Sequence, residues 1–326
     1  MAASAGSQIP VVDFSVMSLE NAAPLTENNQ AVKIVAKQLY RAFSTIGFVY
    51  LQNHGIPQEM VDSMFETFDQ FFNLSPEVKA KYAKKKMTVQ NVNPQNGWDA
   101  VEVERTNPNR PGDLKESFDL ECFDDETFAW PDTEVPNFKS TVSSFYQSMK
   151  DLALRVLTVM AIGLQIEHDT FTRFFSKAGT FKGGVQMRYN FYPKIPDMSR
   201  VKPGQIRCGE HTDYGAITVL FQDEIGGLEV RNVDGNFVAA KPMKGTVLVN
   251  IADMMQRWTA DRFKSTVHRV LIPETELKHT LPRRSLVLFV DPDHETLIEC
   301  IDGSNKYPPI TLGEWKKRRL LETYNY

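Results

Sequence analysis

The sequence predicts an α+β protein with a β core: a jelly roll flanked by helices. Two changes of texture carry this. Through the first 182 residues apolar side chains recur mostly at spacings of three and four, which is helical. From Gly183 onward, short β-branched runs follow one another between Gly, Asp and Pro, the pattern of a sandwich or barrel. No internal repeat, low-complexity tract or long linker separates the two regions. The 326 residues are therefore read as one integrated domain, with 1–182 mainly helical, 183–310 the jelly-roll core and 311–326 a closing helix.

In order along the chain, IPVVDF (9–14) reads as a strand. Val32, Val35, Leu39, Phe43 and Ile46 form a helical stripe that Gly47 ends. GFVYLQNHGIP (47–57) is strand and turn. Met60, Met64, Phe65, Phe68, Phe71 and Phe72 form a second stripe, read as packed core. Ser75-Pro76-Glu77 supplies a cap, a first-turn proline and a first-turn acid. A long helix follows Pro136. The strands of the second half are GVQMRYNFYP, AITVLFQ, GLEVRN, FVAAKP, TVLVNIA, STVHRVLI and SLVLFVDP. Thr311 and Glu314 form a capping box that opens the last helix.

Composition narrows function. Lys plus Arg number 37 against 41 Asp plus Glu, a net charge of -4, so no basic excess points to nucleic acid or an anionic membrane. The KKK (84–86) and KKRR (316–319) runs are read as solvated helix faces. LTVMAIGL (157–164), the most apolar window, is far short of the roughly 20 residues a bilayer requires. MAASAGSQIPVV lacks the pattern of a signal peptide. Three scattered cysteines suit free thiols in a reducing compartment, so a cytoplasmic protein is expected, a monomer or weak homo-oligomer.

The chemistry concentrates in GEHTDYGAITVLFQ. His211 and Asp213 stand two apart, which on a strand turns both to one face. Alone, the pair could be surface polarity. His268, opening another apolar strand, completes two imidazoles and one carboxylate, the set that holds non-haem Fe(II) on one octahedral face. Zinc could also bind such a set. In LPRRSLVLF, Arg283 and Ser285 share a face, and a guanidinium beside a hydroxyl suits bidentate capture of a carboxylate. Arg188, Asn190 and Tyr192 likewise share a face of an apolar strand. His54 is read as a turn or packing residue and His168, His279 and His294 as exposed; Cys208 lies outside the triad.

With those residues in order, the chain resembles the isopenicillin-N-synthase-like 2-oxoglutarate/Fe(II) dioxygenases from about residue 9 to 324. IPVVDF, GFVYLQNHGIP, FFNLSPEVKAKY, DLKESFD, RYNFYP, HTDYGAITVLFQ, GGLEV, WTADRFKSTVHRV and RRS before LVLFVDPD carry the resemblance. It implies a double-stranded β-helix with iron on His211, Asp213 and His268. It implies 2-oxoglutarate held at its distal carboxylate by Arg283 and Ser285, with Asn190 and Tyr192 lining that site, and dioxygen as oxidant with ascorbate as an accessory reductant. A small metabolite is then oxidised by hydroxylation, desaturation or cyclisation as 2-oxoglutarate decarboxylates to succinate and carbon dioxide. Two departures are Ala260, where relatives commonly carry Asn, and Ala252, where Gly is common. The rivals are a 2-oxoglutarate-independent Fe(II) oxidase, told apart by whether succinate forms, and a non-catalytic metal-binding module. Arg188 and Phe289 are assigned to the primary substrate. An inward guanidinium needs an anionic or carbonyl partner: either a substrate bearing a carboxylate or similarly strong acceptor, which is expected here, or an acid at the barrel's edge that makes Arg188 a structural residue.

Overall fold

The computed structural model describes residues 8–21, 28–85 and 96–323. The N-terminal part contributes strands β1 (Val11–Asp13), β2 (Phe48–Gln52), β3 (Gly97–Asp99) and β4 (Glu116–Leu120). The remainder supplies β5 (Gln186–Tyr192), β6 (Cys208–His211), β7 (Ile217–Gln222) and β8 (Leu228–Arg231). It continues with β9 (Phe237–Ala239), β10 (Thr246–Ile251), β11 (His268–Val270) and β12 (Arg283–Val290). The order β1-β2-β10-β7-β12-β5-β4-β3 makes the main sheet, and β6-β11-β8-β9 the minor one. The first 182 residues, expected to be mainly helical, thus also provide half of the main sheet. DLKESFD carries no strand signature in the sequence, because β4 is buried on both faces and shows no alternation.

The helices are α1 (Gln30–Thr45), α2 (Gln58–Phe72), α3 (Pro76–Lys79), α4 (Phe138–Leu164), α5 (Asp253–Trp258), α6 (Glu276–His279) and α7 (Leu312–Thr323). Asn29 caps α1 by accepting the Ala31 N–H at 2.8 Å. Gly47 ends the helix at φ +73, where a Cβ would collide with the Lys264 carbonyl. The Thr311–Glu314 box opens α7 as expected, its hydroxyl donating to Glu314 Oε2 at 2.9 Å.

Two apolar layers result. Val49, Leu51, Val219 and Leu288 join Val35, Leu39, Phe68, Phe71 and Val156 in the core beneath α1, α2 and α4. On the other face Phe48, Tyr50, Leu248 and Tyr192 meet Cys208, Leu228, Val230 and Val270 of the minor sheet. β2 is apolar on both faces because both are covered. The jelly roll is a pair of facing sheets here, not one closed barrel.

Two surface expectations are corrected. Lys84 is not a solvated helix residue but ion-pairs with Asp99 and Asp119. In the KKRR run Lys316 pairs with Asp291 at 3.2 Å and Arg319 with Asp253 at 2.9 Å; only Lys317 and Arg318 are exposed. Lys86 lies outside the described residues. At Ala260 the backbone is left-handed, φ +50, a conformation Asn tolerates better, which gives the Asn of relatives a physical reason.

Candidate active site

His211 ends β6 and His268 begins β11, and the two are direct partners across the minor sheet with rings 4.2 Å apart. Asp213 is not on a strand. It stands two residues beyond β6, in the turn to β7, so the shared-face argument for the H-x-D pair is corrected. Hydrogen bonding returns the carboxylate to the histidines instead. Asp213 Oδ2 accepts the Thr218 hydroxyl at 2.7 Å and Asn250 Nδ2 at 2.8 Å. The turn itself is pinned by Asp291, whose Oδ1 accepts the Ala216 N–H at 3.1 Å. Gly215 packs so closely on that carboxylate that a Cβ would overlap it.

Asp213 Oδ1 lies 3.7 Å from Nε2 of both His211 and His268. One ligand atom from each residue falls within 4.8 Å of the others. These gaps are too long for hydrogen bonds. Each Nδ1 meets a carbonyl, Gly209 O at 2.8 Å for His211 and Thr266 O at 3.0 Å for His268. The proton therefore sits on Nδ1, and both Nε2 lone pairs converge beside the carboxylate. Burial chiefly, then the neighbouring His268, pushes the His211 imidazolium down to about 3, so the ring is neutral at physiological pH. Burial alone would raise the Asp213 carboxyl. The two imidazoles and the Asn250 and Thr218 hydrogen bonds outweigh it and hold the group below the ordinary carboxylate range. Two imidazole nitrogens and one carboxylate oxygen on one side of a point fit an Fe(II) ion.

The β5–β12 register places Arg283 opposite Tyr192, Ser285 opposite Asn190, Val287 opposite Arg188 and Phe289 opposite Gln186. All share the face turned to the minor sheet. Arg283, 1% exposed, donates to Gly226 O at 2.8 Å and Gln222 Oε1 at 3.0 Å. Its guanidinium lies over the Tyr192 ring, 4.8 Å from the centroid. Asn190 Nδ2 donates to Ser285 Oγ at 3.4 Å, while its buried Oδ1 has no partner. Among the described residues Arg283 has no carboxylate partner, which leaves its charge to a ligand.

Arg188 is different. Its Nε and Nη2 each reach Asp119 at 2.6 Å, and Glu104 accepts at 2.9 and 3.1 Å. Lys115 pairs with the same Glu104 at 2.8 Å. The anion that Arg188 needs is thus supplied by the chain, and the premise for a substrate carboxylate falls away. Phe289 is half-buried, 5.8 Å from the Arg188 guanidinium.

Sequence reasoning missed Asn250, Thr218 and Gln222, although each is a polar residue in an apolar strand and could have been flagged. Glu104 and Asp119 gave no comparable signal. His54 serves its turn as expected, Nδ1 accepting the Ile56 N–H at 3.1 Å. His168 is exposed, but His279 and His294 are half-buried against expectation; His279 Nδ1 lies 2.9 Å from the Ile195 carbonyl. Cys208 is buried beside Lys115 Nζ at 3.8 Å and outside the triad.

Residues 9–140 match the family model of the non-haem dioxygenase in morphine synthesis N-terminal region, and residues 183–292 match that of the 2OG-Fe(II) oxygenase superfamily. The chain belongs to the 2OG-Fe(II) oxygenase superfamily. Proline hydroxylase buaE of Petromyces alliaceus is 32% identical over 88% of this chain and 93% of its own. The 2-oxoglutarate-dependent dioxygenase ecdK of Aspergillus rugulosus is also 32% identical, over 88% of this chain and 92% of its own. A full-length Neurospora crassa protein, solved in complex with α-ketoglutarate and thymine, superposes with a TM-score of 0.83 at 33% identity, covering 99% of both chains. This oxygenase is a 2-oxoglutarate-dependent non-haem iron dioxygenase that requires Fe(II) and 2-oxoglutarate. Among its described residues no helix is long and apolar enough to cross a membrane.

Proposed function

We propose that His211, Asp213 and His268 hold Fe(II), that Arg283, Ser285, Asn190 and Tyr192 hold 2-oxoglutarate, and that the oxygenase oxidises a small, uncharged, hydrogen-bonding metabolite. The observation that supports this most is the convergence of two Nε2 atoms and one carboxylate oxygen beside a strand pair ending in a buried, carboxylate-free arginine. Bound there, iron couples dioxygen reduction to oxidative decarboxylation of 2-oxoglutarate and to oxidation of a substrate C–H bond. The chain's part is placement. Arg283 and Ser285 fix one end of the co-substrate, and burial strengthens that contact by excluding water. The core continuous from Val12 to Leu312 supports one integrated domain.

The substrate class follows from charge. Arg188 is already neutralised by Asp119 and Glu104, and Phe289 offers a ring beside it. That supports a compact neutral molecule with donors and acceptors on one edge and a flat face, such as the thymine bound by the Neurospora protein. The test is succinate formation by the purified protein with Fe(II) and 2-oxoglutarate, supplied in turn with pyrimidine bases and with amino acids such as proline. Pyrimidines should stimulate it, and His211→Ala should abolish it. Stimulation by carboxylate-bearing compounds alone would sink the neutral-substrate reading.

A further inference from the structure

A second arginine lies at the co-substrate end. Arg207, the residue before β6, is wholly buried, 0% exposed. Its Nη2 donates to the Leu281 carbonyl at 3.2 Å, and Leu281 stands two residues before Arg283. Its Nε and Nη1 have no partner. Among the described residues neither Arg207 nor Arg283 pairs with a carboxylate. Burial first, and then the Arg283 charge, push the Arg207 guanidinium down to about 10, which leaves it protonated at neutral pH. Asp223, an acid whose charge reaches it, is already taken by Arg284, whose backbone N–H it accepts at 2.7 Å. Two desolvated cations that feel each other's charge, neither with a carboxylate, call for an anionic partner.

We propose that Arg207 is a second anchor for the distal carboxylate of 2-oxoglutarate, forming with Arg283 a two-guanidinium end wall that selects dicarboxylic over monocarboxylic 2-oxo acids. A carboxylate has about four lone-pair sites, more than Arg283 and Ser285 fill, and Arg207 keeps two unpaired donors, Nε and Nη1, on different sides of its guanidinium, either of which can reach a carboxylate oxygen. This rests on the co-substrate assignment above.

The test measures binding without turnover. Zinc-loaded protein is titrated with 2-oxoglutarate and with 2-oxopentanoate, which has the same carbon chain and lacks the distal carboxylate. R207M should weaken 2-oxoglutarate roughly 10- to 100-fold and leave 2-oxopentanoate unchanged. R207K, which keeps the charge but moves the donor, should lose several-fold and covers the case in which R207M does not fold. Unchanged selectivity in either variant overturns the proposal, as does equal weakening of both acids. A wild-type protein with no preference for 2-oxoglutarate would instead overturn the co-substrate reading itself.

Discussion

Asn250→Leu isolates the support of the metal carboxylate. Asn250 is 3% exposed, and its Nδ2 is one of two donors, 2.8 Å away, on Asp213 Oδ2. Leucine has nearly the same shape and no donor, so packing against neighbouring Leu248 and Phe48 survives. The lost bond is charge-assisted, worth about 1.5–3 kcal/mol. Nothing else among the described residues replaces it, because Thr218 already uses its hydroxyl on the same oxygen at 2.7 Å. With tenfold per about 1.4 kcal/mol, Fe(II) affinity should fall about 10- to 100-fold, as expected for groups that orient a metal ligand. The assay is anaerobic Fe(II) titration, with melting temperature read in parallel on metal-free protein. The melting temperature should stay near wild type while affinity falls, and Thr218→Val should act in the same direction. An Fe(II) affinity within about twofold of wild type, in a folded protein, refutes the claim that Asn250 holds Asp213 for the ion.

Three further outcomes are expected. Arg283→Gln should raise the KM for 2-oxoglutarate about 10- to 100-fold with little change in the KM of the primary substrate, and an unaltered KM would remove Arg283 from that site. Arg188→Met leaves Asp119 and Glu104 buried with less positive charge, so chemical denaturation should show a loss of about 3–5 kcal/mol; unchanged stability would return Arg188 to substrate binding. His54 is pushed by burial from 6.5 to about 4. The folded state therefore binds fewer protons than the unfolded one between those values, and stability falls as pH drops through that window. That is roughly 3 kcal/mol at most. His54→Asn keeps an acceptor for the Ile56 N–H and should flatten the slope of unfolding free energy against pH there; an unaltered slope contradicts the assignment.

What the sequence made legible was what periodicity and spacing encode. Arg283 and Ser285, two apart on an eight-residue strand, could only share a face, and the structure keeps them there. Asp213 escaped the same logic because the strand stops at His211, and its direction is set by Thr218, Asn250 and Asp291, contacts remote along the chain. Arg188 was placed correctly on its face, but its partners were not visible. Glu104 comes from an irregular segment and Asp119 from a strand without alternation, and only folding brings them, 84 and 69 residues away along the chain, to Arg188. The lysine runs misled for the same reason: a charge run looks solvated until the opposing carboxylates are known.

The metal set draws on both sheets. His211 and His268 belong to the minor sheet, whereas Asp213 is tied to β7 and β10 of the main one through Thr218 and Asn250. A bound ion therefore joins the two sheets. Arg283 and Ser285 lie on β12, directly beside β7, so their spacing from Thr218 and the Asp213 carboxylate it holds is set by strand register near the centre of a sheet backed by α1, α2 and α4. Arg188, on the same face, reaches sideways to Asp119 of β4, beside the edge strand β3 that carries Asp99.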